Sequence, residues 1–107
     1  MIKMLGVLTY HAAIERKERF DFIREHFGFT NVVMEGMRDG KIYAITSSGV
    51  LLVKTLDGAI ITAYPVSIKV ATFISRDMLG KRQVPPKLYK KILKNMDRYP
   101  ECFERGF

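Results

Sequence analysis

The residues of this 107-residue sequence that could do chemistry are histidines, cations and hydroxyls: His11, His26, Arg16, Lys41, Lys54, Thr62 and Tyr64. Together such groups can cleave RNA without a metal. The attacking 2′-hydroxyl must lose a proton, the departing 5′-oxygen must gain one, and the charge on the phosphorane must be stabilised. An imidazole serves the first two steps, and cations or hydroxyl donors serve the third. Each residue also has an ordinary structural reading. His11 follows an expected strand and can cap or pack. His26 suits the carbonyl end of a helix dipole and is read as structural. Thr62 is at home in any strand, and Tyr64 before Pro65 is a common sheet-edge aromatic. Lys41 and Lys54 fit solvated positions, and Arg16 fits an ion pair.

Other chemistries are disfavoured. Only two histidines and one cysteine, Cys102, are present. These exclude an internal disulfide, a zinc finger and a multi-histidine metal centre. No glycine-rich phosphate loop, dinucleotide fingerprint or G-x-S-x-G nucleophile turn occurs. Paired carboxylates are absent from the strands, which disfavours two-metal hydrolysis. No cofactor and no metal are therefore expected. The six methionines fit core filling.

The elements that must position these groups can be read from turn signals and periodicity. Asp39-Gly40, Ser48-Gly49 and Asp57-Gly58 recur nine residues apart, the rhythm of an antiparallel meander. Four strands are expected, at 31–38, 41–47, 50–56 and 59–64. Two-residue loops throughout put Val33, Ile42, Ala44, Leu51, Val53, Thr62 and Tyr64 on one face. They put Met34, Tyr43, Ile45, Leu52, Lys54, Ile61 and Ala63 on the other. A three-residue loop at Asp57 instead sets Lys54 beside Thr62 and Tyr64. Ahead of the meander, Ala13, Phe20, Ile23 and Phe27 predict a helix over 12–27, stopped by Gly28. Val7–Tyr10 reads as a short strand rather than a leader peptide. After Pro65, residues 67–78 fit either period and are read as helix. Pro86 opens a clearer helix over 87–98, with an apolar stripe of Leu88, Ile92, Met96 and Tyr99. The fold class expected is thus α+β, one domain over 1–107, with a four-stranded meander between an amino-terminal and a basic carboxy-terminal helix.

Eighteen basic against eleven acidic residues give a net charge of +7. Residues 1–65 contribute +1 of this and residues 66–107 contribute +6. Lys87, Lys91, Lys94 and Arg98 fall at i, i+4, i+7 and i+11, a wholly cationic stripe on the last helix. Such a field steers polyanions, and RNA is the expected partner. No apolar run reaches the length of a membrane span, so a soluble, cytoplasmic protein without membrane contact is expected.

The run Leu56-Asp57-Gly58-Ala59-Ile60-Ile61-Thr62-Ala63-Tyr64-Pro65, after a meander and a helix, resembles a known fold group. It is similar to the barnase, EndoU, colicin-type tRNase and RelE-like ribonucleases, in their phage and polymorphic-toxin branches. The likeness covers residues 12–97 in architecture and the ten quoted residues in motif. It implies metal-independent RNA cleavage on the concave face of the sheet, with Thr62 as the active-site hydroxyl and Tyr64 close to it. His11, Arg16 and Lys54 are the candidates for the remaining roles by type and place. An antitoxin or immunity protein would be the implied partner. The alternative is a non-enzymatic basic module of the same fold that binds nucleic acid or an acidic protein.

Overall fold

The computed structural model describes residues 17–78, 80 and 83–104. His11, Arg16 and the expected strand at 7–10 lie outside the described residues. Along the chain run α1 (Lys17–His26), β1 (Val32–Arg38), β2 (Lys41–Thr46), β3 (Val50–Lys54) and β4 (Ile60–Pro65). Then come α2 (Ile68–Phe73), which continues as a π-helical turn (Ile74–Met78), α3 (Pro86–Arg98) and a short α4 (Pro100–Glu104). The four strands form one antiparallel sheet in the order β1-β2-β3-β4, so the fold is α+β.

Each turn sets its own register. Asp39 and Gly40 both take positive φ, 53° and 74°, which closes a two-residue loop and pairs Arg38 with Lys41 as expected. At the second turn the loop has three residues, Ser47, Ser48 and Gly49. The Gly49 N–H returns to the Thr46 carbonyl at 3.0 Å, and the buried Thr46 hydroxyl accepts from the Val50 N–H at 3.2 Å. Ala44 therefore pairs with Leu52 and Ile45 with Leu51. This one-residue difference from the expected register exchanges the faces of β3 relative to β2. The third loop, Leu56–Gly58, is also three residues long, with the Thr55 N–H bonded to the Ala59 carbonyl at 2.8 Å. A bulge opposite Val53 and Lys54 then absorbs the extra residue, so that Val53 pairs with Thr62 and Leu51 with Tyr64.

Both faces of the sheet are consequently apolar and both are covered. Phe20 and Ile23 of α1 pack on Ala44, Val50, Leu52, Ile60 and Ala63. The alanines leave room for the helix to lie close. Gly28, at φ 76°, ends α1 by returning its N–H to the Ile23 carbonyl at 2.8 Å. On the other face Met34, Ile45, Leu51 and Val53 meet Val66, Ala71 and Ile74, then Leu88 and Ile92 of α3. The ambiguous 67–78 segment is helical because Ser67 caps it: its hydroxyl accepts from the Val70 N–H at 3.2 Å.

Pro86 occupies the first turn of α3, as its fixed φ favours. The buried line of α3 is Leu88, Ile92 and Asn95. Asn95 had no place in the expected apolar stripe, yet its amide donates to the Ser48 carbonyl at 2.8 Å in a buried position. Tyr99 closes α3 through its N–H to the Asn95 carbonyl, and Pro100 starts α4, which buries Cys102.

Gly49 lies directly under that amide. Its φ is 84°, and a Cβ there would sit 2.6 Å from Asn95 Nδ2. Gly49→Ala is therefore expected to destabilise the fold by about 1–3 kcal/mol from the backbone alone, with a further contribution from the contact. Asn95→Ala leaves a buried carbonyl unpaired, at about 1–3 kcal/mol. In urea unfolding the double variant should be less destabilised than the sum of the two single variants. Strict additivity would show that the two residues do not meet.

Candidate functional site

The helix α3 carries five cations, Lys87, Lys90, Lys91, Lys94 and Arg98, against the single acid Asp97. Burial of Leu88, Ile92 and Asn95 forces Lys87, Lys91, Lys94 and Arg98 onto the solvent side, where all four are exposed. Among the described residues none of these four is held in an ion pair. At helical rise the stripe spans roughly 16 Å. The structure thus brings the four sequence-derived cations onto one open surface.

That surface ends in a cleft of about 370 Å³ between the carboxy-terminal ends of α1 and α3. Lys91, Lys94 and Arg98 line it together with His26 and Tyr99, with Asp97 and the Asn95 anchor completing the wall. Four rings cluster there. The His26 imidazole lies 4.4 Å from the Phe22 ring and 5.6 Å from Tyr99, and Phe27 lies 4.9 Å from Tyr99. The Arg98 guanidinium sits over the Tyr99 ring at 5.5 Å, a cation–π contact that holds the charge at the cleft mouth. His26 is exposed. From the sequence it is read as structural, because it suits the carbonyl end of a helix dipole; its neighbours in the cleft, Lys91 to Tyr99, come from far along the chain.

On the sheet, Thr62 and Tyr64 project from the same edge strand, two residues apart. The Arg19 guanidinium of α1 donates to the Thr62 hydroxyl at 3.4 Å. Burial pushes the Tyr64 phenol above its ordinary value of 10.0, the nearby Tyr43 phenol pushes the same way, and the Arg19 charge opposes them. Arg19 is thus the cation that the structure sets beside these hydroxyls, three residues further along the sequence than the expected Arg16. Lys54 is elsewhere. Its ammonium is 3.5 Å from Glu35, and its partner across the sheet is Ile42, next to the α1 face. Tyr64 also lines a shallow hollow of about 220 Å³ with Tyr43, Leu51 and Phe73. Arg38 reaches over the Phe73 ring at its rim, at 5.8 Å.

Burial, and secondarily the Glu101 charge, push the Cys102 thiol up, so its thiolate is disfavoured. Among the described residues no group of three His, Cys, Asp or Glu could hold a metal ion, and no helix is long and apolar enough to cross a membrane. No protein-family model, curated protein or solved structure matches the chain.

The raised Tyr64 phenol has a signed consequence. A folded-state value above the unfolded one favours the protonated form, so the associated stability is complete below pH 10.0 and is lost as pH rises through the folded value. Tyr64→Phe should therefore lose stability less steeply than wild type as the pH rises above 10.0. Chemical denaturation at a series of alkaline pH values checks this. Equal slopes would show that the phenol ionises without penalty.

Proposed function

We propose that this protein binds RNA through the exposed cationic face of α3. The carrying observation is the alignment of Lys87, Lys91, Lys94 and Arg98 on one open surface above the His26–Tyr99 cleft. The charges would neutralise phosphates and release their counterions, so affinity would fall steeply with salt. A Lys87→Glu/Lys91→Glu/Lys94→Glu protein should bind a structured RNA far more weakly at low salt. Its log–log salt slope should shrink by about 0.7–0.9 for each phosphate contact removed. Equal affinities and slopes for the two proteins would reduce the stripe to a solvated helix face.

A second reading, metal-independent RNA cleavage, is favoured by the Arg19 guanidinium at the Thr62 hydroxyl with Tyr64 beside it. In that reading the 2′-hydroxyl attacks the adjacent phosphorus, the 5′-oxygen departs with a proton, and a 2′,3′-cyclic phosphate remains. Arg19 and the two hydroxyls would stabilise the phosphorane, and an antitoxin or immunity protein in the same cytoplasm would be the natural partner. Purified protein should then cleave RNA in EDTA, and Thr62→Ala should lower the rate by about 10²–10³. Undiminished cleavage by Thr62→Ala, or cleavage only with added divalent metal, would remove this reading and leave the binding module.

A further inference from the structure

The cationic stripe explains attraction to any nucleic acid, but the rings at its end have a different chemistry. A cation recognises phosphate whether the strand is paired or not. An open aromatic face recognises only a base whose own face is free, because stacking within a duplex hides it. His26 presents such a ring. Phe22 backs the imidazole at 4.4 Å and tilts 40° from it, while Tyr99 meets it edge-on at 5.6 Å and 64°. These neighbours hold the ring in place, yet the residue stays exposed beside Lys91 and Lys94 in the same cleft. Tyr99 is itself fixed by Phe27 and by the Arg98 guanidinium above it. A strand whose phosphates follow α3 would therefore reach a supported ring at the point where the charges end.

We propose that His26, backed by Phe22 and edged by Tyr99, is a stacking position for an unpaired base, so that this site takes single-stranded RNA in preference to duplex. The inference rests on the RNA-binding reading and adds to it a strand selectivity that charge alone does not supply. The three cations that share the cleft with His26, Lys91, Lys94 and Arg98, place a phosphate next to the stacked base, which couples the two contacts. No base identity is read in this way, since every base has a face to stack.

The test is fluorescence anisotropy with a labelled, unstructured single-stranded RNA of about a dozen nucleotides and with the same strand annealed to its complement. Wild type should bind the single strand more tightly. His26→Ala should weaken single-strand binding about five- to a hundredfold while leaving duplex binding and the salt slope nearly unchanged. His26→Phe, which keeps an aromatic ring at the position, should restore most of the loss. Thermal unfolding of each variant establishes that it is folded. Equal wild-type affinity for both RNAs, an equal loss on both with His26→Ala, or no recovery with His26→Phe would each overturn the stacking position while leaving cationic binding intact. Failure of wild type to bind either RNA at low salt would overturn the binding reading, and the stacking position with it.

Discussion

The hydrogen bond from the Asn95 amide to the Ser48 carbonyl joins the second turn of the sheet to the helix that carries the charges. It is buried, so neither group could be left to water, and each depends on the other for its place. Gly49 makes the approach possible, since any side chain there would enter the space of the amide. The same turn sets the pairing of β2 with β3, and that pairing determines which apolar residues meet α1 and which meet α2 and α3. The orientation of the cationic face is thus linked to the register of the sheet through one amide.

The sheet is covered on both sides for a reason visible in its residues. Ala44 and Ala63 leave a shallow bed for Phe20 and Ile23, whereas Ile45, Leu51 and Val53 build a fuller surface against two helices. One consequence is that α1 and α3 bring their carboxy-terminal ends together, although they pack on opposite faces. The ring cluster of Phe22, His26, Phe27 and Tyr99 is the product of that meeting. A cleft made from two helix ends can combine functions that neither helix holds alone: diffuse charge from α3, and a supported ring from α1.

The sheet-edge cluster follows a similar logic. The bulge that absorbs the extra residue of the Leu56–Gly58 loop keeps Thr62 opposite Val53 and Tyr64 opposite Leu51. It also leaves Lys54 opposite Ile60, beside Glu35 rather than beside the hydroxyls. Arg19 then supplies the positive charge there from α1. Whether charge near Thr62 comes from a strand or from a helix is therefore a matter of one inserted residue.

Much of this architecture was legible in the chain. The nine-residue rhythm of glycine turns, the Pro86 start and the periodicity of α3 determined a four-stranded meander, two flanking helices and a single cationic stripe, because local backbone preference and amphipathic spacing act over a few residues. The faces of β3, the role of Asn95 and the choice of Arg19 over Lys54 were decided only by the tertiary structure. A turn of two residues and a turn of three read alike in Ser48-Gly49, and the longer form is selected by Thr46 and by the helix packed above it. His26 had the signature of an ordinary helix end, and became a candidate contact only when Tyr99 and Arg98 folded against it. Register and long-range proximity depend on how the whole core closes, and no local pattern of residue types encodes that closure.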